Sequence, residues 1–345
     1  MSINVIKREN VFNNQIIFVD GMWGSGKSLL APLITIGQGV EKMKMDHNFE
    51  YICSLNYLQQ LSEESAATML KIHSDWATYN SYISREVNFR FHDESGVFNN
   101  PKKLKYLFNL FKKDKGNVEG EILRLKPTLN IMSHNILPVS KSLVKAFGGR
   151  LKLIAMTRNP VYMMKYWSTY LPRCGKEPKE LTLCIGDKGD VPWFIKDHKS
   201  FNNLTPMEKA IESYKDLSDA ALKAEEDEFL DRDSLMVIPF ESFTLDSGTW
   251  IHKIMDYLEL DDYSKFIKYL SKINCPRTYL LEGIDKKVIY ARRKNLAKLE
   301  KDNFNSILGE IKDQVSSSYF QDLIGFVKKY KQKYKFPRRM PWDDI

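Results

Sequence analysis

The sequence predicts an α/β protein in which helices cover both faces of a central parallel β-sheet, giving three layers. Apolar residues lead into a glycine-rich loop at residues 21–28, and helical spacing resumes directly after that loop. The order of strand, polar tip and helix then recurs at residues 128–147 and again from residue 151. The 345 residues are 43% hydrophobic, enough for a sizeable core, so we expect one α/β domain over residues 1–345.

The first predicted strand, residues 16–19, ends in the P-loop pattern Gly21-x-x-x-x-Gly26-Lys27-Ser28. Glycines allow the backbone to approach an anion and to point successive N–H groups at it, and the following helix adds its positive dipole end. The Lys27 ammonium can reach the outermost anionic group. The pattern therefore predicts a phosphate-binding loop. Its expected binding residues are Gly24, Ser25, Gly26, Lys27 and Ser28.

Residues after the loop divide into a short strand and a long helical insertion. We expect the first helix to end near residue 36, and residues 49–53 to form a second strand. Residues 57–125 have mostly helical spacing and form the predicted insertion. This insertion contains a cluster of aromatic residues around Glu86, which suits either an acceptor pocket or ordinary core packing.

Three later strands are predicted, and each ends in polar residues. Residues 128–132 lead to His134, residues 151–156 lead to Arg158, and residues 235–239 lead to Glu241. Because the carboxyl ends of parallel strands meet at one edge of a sheet, we expect these side chains to gather beside the glycine-rich loop. From the residues alone, a histidine at a strand tip suits either a general base or a satisfied structural group.

The C-terminal third is predicted to be mainly helical. Thr205, followed by proline and by a glutamate three residues after the cap, marks a helix start, and residues 170–203 are rich in loops. Apolar residues at four-residue steps over 311–327 predict one amphipathic helix within a C-terminal helical segment at 300–336. A basic run precedes it, and its residues are Arg292, Arg293 and Lys294.

The charge and cysteine content narrow the class of protein. A net charge of +8 and a pI near 9.0 favour anionic ligands, but the basic residues are spread among 44 acidic ones, which does not favour nucleic acid. The four cysteines form no C-x-x-C pair, which indicates reduced thiols rather than a disulfide frame or a zinc site. The N-terminus shows no apolar signal core, and no run is long enough to span a membrane. We therefore expect a cytoplasmic protein.

Such a loop is typical of nucleoside triphosphatases and kinases. They hold Mg²⁺ through the residue that matches Ser28 and through an aspartate at the end of another core strand. Here only Glu241 among the predicted strand tips is acidic. The missing aspartate weakens the prediction of a metal–triphosphate site, and we expect no metal.

The order of these motifs resembles that of the sulfotransferases that use 3′-phosphoadenosine 5′-phosphosulfate as donor. The resemblance covers roughly residues 15 to 260. The Arg-Asn-Pro strand tip is its most specific part. The matching motifs are the glycine loop, Ser133-His134-Asn135-Ile136-Leu137-Pro138, Thr157-Arg158-Asn159-Pro160, and Val237-Ile238-Pro239-Phe240-Glu241.

The resemblance implies a fold, an activity and a set of roles. In that family the loop binds the 5′-phosphosulfate, the arginine matching Arg158 binds the 3′-phosphate, and the histidine matching His134 takes the acceptor's proton. Adenosine 3′,5′-bisphosphate is the product. Glu86 is a weaker candidate for the base. Further 3′-phosphate contacts are expected from Lys165, Ser168 and the basic run Arg292, Arg293 and Lys294.

One departure from the family keeps alternatives open. Sulfotransferases carry their catalytic lysine at the position of Gly24, whereas Lys27 occupies the position usual in nucleotide kinases. A phosphotransferase or nucleoside triphosphatase is therefore the second hypothesis, and a non-catalytic nucleic-acid binder is the third. A small molecule or carbohydrate is the expected acceptor. The aromatic candidates for acceptor stacking are Trp76, Tyr79, Phe89, Trp167, Tyr170 and Trp193.

Overall fold

The fold was analysed in a computed structural model, which describes residues 6–92, 96–111, 116–227, 229–283 and 296–345. The strands, in chain order, are β1 Ile16–Gly21, β2 Lys44–Met45, β3 Leu129–Met132, β4 Leu151–Thr157, β5 Cys184–Ile185, β6 Val191–Pro192 and β7 Leu235–Pro239. The helices of the first half are α1 Lys27–Ile34, α2 His47–Tyr57, α3 Glu63–Tyr82, α4 Lys103–Asn109, α5 Val118–Leu125, α6 Lys141–Phe147 and α7 Val161–Tyr170. Those of the second half are α8 His198–Phe201, α9 Pro206–Glu226, α10 Phe240–Leu245, α11 Ser247–Leu258, α12 Tyr263–Lys272, α13 Leu296–Lys312 and α14 Ser317–Lys333.

Five strands form one parallel sheet in the order β2-β3-β1-β4-β7, which confirms the predicted α/β class. Strand β1 lies at the centre, and its side chains alternate between two buried clusters. Ile16 and Phe18 pack with α3, α6, α7 and α9, whereas Ile17 and Val19 pack with α1, α11 and α12. Burial on both faces is why these strands are continuously apolar rather than alternating.

The carboxyl ends of β1, β3, β4 and β7 meet at one edge, where three polar tips and the glycine loop lie side by side. The start of α9 matches its prediction, since Thr205 and Glu208 form a capping box. Within the described ranges, no helix is both long and apolar enough to cross a bilayer.

The prediction of a second strand at residues 49–53 is wrong. These residues lie in α2, and β2 is the short segment just before it. Asp46 caps α2 by accepting a hydrogen bond from the Asn48 N–H, and Phe49, Ile52 and Cys53 bury one side of the helix. Their spacing of three and four residues is typical of a helix. The strand was predicted because a short apolar run suits a buried strand or a buried helix equally well.

The prediction of one continuous helix over residues 311–327 is also wrong. The segment forms two helices, α13 and α14, with a break between Lys312 and Ser317. In this break the Ser316 N–H donates to Glu208, and Ser316 occupies the cap position of α14. Leu323 and Val327 are fully buried, so the apolar stripe does pack on the core as expected.

Candidate functional site

The glycine loop, residues 21–28, joins β1 to α1 at the carboxyl edge of the sheet. Gly24 and Gly26 have φ values of 78° and 95°, a left-handed conformation that favours glycine. Helix α1 begins without a side-chain cap and without an acidic residue in its first turn. Its N–H groups and its positive dipole end are therefore presented to an anion rather than neutralised by the protein.

Two glycines of the loop are required by close packing. A Cβ at Gly26 would lie 2.2 Å from the Phe240 ring, and a Cβ at Gly21 would lie 2.4 Å from the Met156 carbonyl oxygen. Both distances are far inside van der Waals contact. The loop is thus held against β4 and the residue that follows β7, and the pattern's outer glycines have a structural reason.

Lys27 turns back onto the loop. Its Nζ donates to the carbonyl oxygens of Gly21 and Met22, at 2.9 and 3.1 Å, and its residue is 5% exposed. Burial lowers the pKa of Lys27 to about 8, while the charges of Asp20 and Glu50 act in the opposite direction. Lys27 is therefore mainly protonated at neutral pH. A bound anion would replace the two carbonyl oxygens as the acceptor of its hydrogen bonds.

Arg158, the tip of β4, lies against the glycine loop. Its Nη1 donates to the Gly24 carbonyl oxygen at 3.0 Å, and its guanidinium carbon lies 4.5 Å from the centre of the Phe240 ring. Burial lowers the pKa of Arg158, and its Nε is buried with no hydrogen-bond partner in the described parts of the chain. An unpaired donor on a buried cation fits an anionic ligand at this position.

A second guanidinium, which no motif of the sequence marks, also lies here. Arg277 lies 5.9 Å from the centre of the same Phe240 ring that Arg158 covers, and its own N–H donates to the Thr244 carbonyl. Nothing in the local sequence marks Arg277, because it follows α12 by several residues and belongs to none of the motifs. Two guanidinium groups therefore lie against one ring on this side of the loop, and the buried Glu241 carboxylate acts to raise the pKa of Arg158.

Asp20, the residue before the first glycine, holds the tip of β3 in place. Its carboxylate is 1% exposed and accepts hydrogen bonds from the Ser133 hydroxyl and from the N–H groups of Ile136 and Leu137. The turn these contacts fix contains Asn135, which has a positive φ of 54°. A carboxylate of the loop segment therefore positions the backbone around His134.

His134 belongs to a cluster of three side chains, which we call the histidine cluster: His47, Glu50 and His134. Glu50 Oε1 accepts from the His134 N–H at 2.8 Å and lies 3.2 Å from His134 Nδ1. Glu50 Oε2 lies 3.3 Å from His47 Nδ1. The two imidazole rings are nearly parallel, with centroids 5.8 Å apart. One carboxylate thus orients both rings.

The histidine cluster contains an ionised carboxylate beside a neutral imidazole. Burial opposes ionisation of Glu50, but hydrogen bonds with His134 and His47 lower its pKa to about 2. Burial and the charge of Lys27 lower the pKa of His134 below its ordinary value, although Glu50 acts to raise it. His134 is therefore neutral near pH 7 and able to accept a proton.

A cleft of about 190 Å³ opens beside the histidine cluster, and we call it the aromatic cleft. Tyr166 and Tyr170 stack at 5.7 Å on its α7 side, and Trp193 forms part of the facing wall. Rings of this kind bind planar or apolar groups, and the histidine cluster supplies polar contacts at the cleft's base. The residues that line it include Trp23, Tyr51, Tyr166, Tyr170, Lys179 and Trp193.

Most of the aromatic residues suggested for acceptor stacking lie away from this cleft. Residues 57–125 hold α3, α4 and α5 as predicted, but Trp76 and Tyr79 stack with each other at 6.3 Å and do not line this cleft. Trp167 is fully buried, and its Nε1 donates to the Trp23 carbonyl. Of the six aromatic candidates, Tyr170 and Trp193 line the cleft.

Other predicted site residues have partners elsewhere. Lys165 Nζ forms an ion pair with Glu310 of α13 at 3.2 Å, and the Ser168 hydroxyl donates to the Lys165 carbonyl. Glu86 pairs with Lys44 and accepts from Asn80 at 2.8 Å, so it does not act as an unpaired base. These are contacts within the protein, whereas Lys165 and Ser168 were expected to contact the 3′-phosphate and Glu86 was considered as a base. Arg292, Arg293 and Lys294 lie outside the described residues.

The carboxylates of this edge are already engaged. Asp20 accepts from the turn after β3, Glu50 binds two histidines, and Glu241 accepts from the Asn159 N–H and the Tyr330 hydroxyl. A metal–triphosphate site would need one of them to turn towards Ser28. The described site instead has Lys27, Arg158 and backbone N–H groups at the glycine loop, and the neutral His134 beside it.

The chain was compared with known proteins. No protein-family model matches it, and no curated protein matches it either. Solved structures to which it is similar include the sulfotransferase domain of the Synechococcus PCC 7002 olefin synthase, with a TM-score of 0.47 and 12% identity over 97% of this chain and 99% of that one. A sulfotransferase domain from the curacin biosynthetic pathway gives a TM-score of 0.45 and 10% identity over 96% and 100%.

A sulfotransferase from Alicyclobacillus acidocaldarius gives a TM-score of 0.32 and 14% identity, over 91% of this chain and 99% of that one. These are likenesses of overall fold at low identity.

Proposed function

We propose that this chain is a sulfotransferase of the family that uses 3′-phosphoadenosine 5′-phosphosulfate, and that it transfers the sulfuryl group to a hydroxyl or, as a second choice, an amine. One observation carries this proposal. Arg158 lies on the glycine loop, with Nη1 3.0 Å from the Gly24 carbonyl oxygen, and its Nε is buried without a partner in the described residues. A loop for one phosphate and a separate guanidinium suit a nucleotide that carries anions at both its 5′ and 3′ positions.

The glycine loop and Lys27 would bind the phosphosulfate end of the donor. The uncapped start of α1 supplies N–H groups, and Ser28 is exposed beside them at the helix start. Arg158 would bind the 3′-phosphate through two parallel hydrogen bonds, a geometry that favours this donor over a nucleoside triphosphate. Arg277 adds positive charge on the same side.

The donor, when bound, supplies an activated sulfuryl group with adenosine 3′,5′-bisphosphate as the leaving group. Lys27 would then move its ammonium from the Gly21 and Met22 carbonyls to the oxygen that gains negative charge as the bond to sulfur breaks. A buried ammonium stabilises such charge more strongly than one in water, because less solvent screens the interaction.

His134 would take the proton from the acceptor. Its Nδ1 faces Glu50, so Nε2 is the ring nitrogen left to accept the acceptor's proton as the new oxygen–sulfur bond forms. The ionised Glu50 stabilises the imidazolium that results. Acceptor rings or sugars would lie in the aromatic cleft, against Tyr166, Tyr170 and Trp193.

A transfer assay tests this function. Purified protein is incubated with donor carrying labelled sulfur and with a panel of phenol, steroid, carbohydrate and peptide acceptors, in buffer containing a metal chelator. We expect label to enter at least one hydroxyl acceptor. A parallel assay uses ATP and Mg²⁺ without chelator. Phosphate release that requires Mg²⁺ there, with no transfer of label in the first assay, would instead support the phosphotransferase hypothesis that the position of Lys27 suggested.

A further inference from the structure

The histidine cluster has a donor set that the proposed transfer does not need in full. His134 would be the base and Glu50 its orienting partner, but His47 has no role in that chemistry. Its ring nevertheless lies parallel to that of His134, and both Nδ1 atoms face one carboxylate. The position of His47 is therefore not explained by the proposed transfer.

We propose that His47, Glu50 and His134 form a binding site for Zn²⁺. A His134 ring that binds zinc through Nδ1 carries its proton on Nε2, so the bound ion would inhibit the enzyme by leaving no nitrogen free to accept the acceptor's proton. Two imidazoles and one carboxylate are a donor set that zinc uses when it keeps a further position open. One ligand atom from each of the three residues can be chosen so that all lie within 4.8 Å of one another.

The distances suit a small tetrahedral ion. With metal–ligand bonds of about 2.0–2.1 Å, two ligands of tetrahedral zinc lie roughly 3.3 Å apart. Glu50 oxygens lie 3.2 Å from His134 Nδ1 and 3.3 Å from His47 Nδ1. Zinc would therefore replace the protons at these two contacts, and the ligand atoms of the three residues lie within 4.8 Å of one another before it binds.

The local framework already holds these ligands in place. His47 and Glu50 lie one turn apart on α2, whose start is capped by Asp46. His134 is fixed by the hydrogen bond from its own N–H to Glu50 and by the turn that Asp20 holds. The three residues line the aromatic cleft, so water or an acceptor oxygen can complete the coordination.

A second histidine–carboxylate pair on the same side of the molecule provides a matched control. His73 Nε2 lies 2.9 Å from Asp46 Oδ2, but Lys44 Nζ lies 3.5 Å from the same carboxylate oxygen. This ammonium is paired with the carboxylate itself and competes with a metal ion for it. The pair therefore has the same side-chain chemistry as half of the proposed site without its third ligand.

Zinc titration of the full-length protein tests the binding. Calorimetry with zinc chloride should give one ion per chain, and Co²⁺ should give the visible absorption of a tetrahedral site. We expect His47→Ala to weaken zinc binding at least about 100-fold, and His73→Ala to leave it within about threefold. Circular dichroism checks that both variants are folded. Absence of stoichiometric binding, or equal binding by His47→Ala, would overturn the proposal.

The proposed inhibition by zinc rests on the proposed function, and it is measured separately from zinc binding. In the transfer assay, zinc should reduce the rate of the unaltered protein and of His73→Ala, and His47→Ala should resist it. Zinc bound at this site without loss of transfer would overturn the inhibition while leaving the site. If the chain transfers no sulfuryl group at all, calorimetry and cobalt absorption still decide whether the site exists.

Discussion

The two sides of the candidate site are built in different ways. The glycine loop is contiguous, and its conformation follows from glycines at fixed positions and from the strand and helix on either side. The histidine cluster joins α2 to the tip of β3 across 84 residues of sequence. Short-range constraints therefore define the anion-binding side, whereas tertiary packing assembles the proton-accepting side.

This difference decides how each side should respond to substitution. An anion at the glycine loop would be bound by backbone N–H groups as well as by Lys27. Removal of one side chain therefore leaves other hydrogen-bond donors in place. His134 has no comparable substitute, since its partner Glu50 is ionised and faces two imidazoles. We therefore expect the largest loss on the histidine side and graded losses elsewhere.

Replacement of His134 by alanine should have the largest effect. Loss of the general base should lower kcat about 10²–10⁴-fold with little change in the KM for the donor. Steady-state assays with labelled donor measure both constants. His73→Ala, which removes another histidine paired to a carboxylate, is the control and should keep its activity. A fall of less than about threefold in His134→Ala would show that another group accepts the proton.

Replacement of Lys27 by alanine should lower kcat about 10²–10³-fold, because one preorganised cation for the leaving group is lost. Lys102→Ala is a close control. Lys102 also donates to backbone carbonyls, those of Gly37 and Val40, and burial lowers its pKa to about 8 as well. Equal losses in both variants would indicate a general effect of a buried lysine rather than a role in transfer.

Glu50→Gln should lower kcat roughly 10–100-fold, the equivalent of one hydrogen bond to a charged group. Because Glu50 raises the pKa of His134, its loss should also move the acid limb of the pH–rate profile to lower pH. Glu41→Gln, at a buried carboxylate bound to Tyr106, is the control and should leave the profile unchanged. A lower rate with an unmoved acid limb would argue against a positioning role for Glu50.

The smallest of these effects concerns pH and the donor. Lys27 must be protonated to bind an anion, and its pKa is lowered to about 8 in the free protein. Affinity for adenosine 3′,5′-bisphosphate should therefore hold between about pH 7 and the pKa of Lys27 and then fall as the pH rises, by at most about tenfold per pH unit. Lys27→Arg should remove this fall, because arginine stays charged. Constant affinity up to pH 9.5 in the unaltered protein would contradict a role for the ammonium.

The same contrast explains what could be predicted from the sequence. Strands β1 and β3 are fully buried, and β4 and the partly buried edge strand β7 also carry clear apolar runs, so these strands and their polar tips could be predicted. Glu50 was missed because the segment around it was interpreted as a strand. As a helix, it places His47 and Glu50 one turn apart on the same side, which would have suggested a pair.

Other features depended on contacts that no local pattern contains. Arg277 reaches Phe240 from a segment with no motif, and Asp20 is recognisable only by the three groups that it binds. Lys165, expected at the 3′-phosphate, forms an exposed ion pair with Glu310, and its contact with the donor stays a prediction. The sequence thus predicted the helix on which Lys165 lies, but it contains no signal for this ion pair.

The central claim is that Arg158 and the glycine loop bind one nucleotide together, and calorimetry tests it most directly. Adenosine 3′,5′-bisphosphate should bind more tightly than ATP with Mg²⁺, and Arg158→Ala should weaken the bisphosphate about 100-fold or more. Arg150→Ala is the control, since Arg150 lies at the opposite end of β4 and also donates to backbone carbonyls. Preference for ATP, or undiminished bisphosphate binding by Arg158→Ala, would contradict the account.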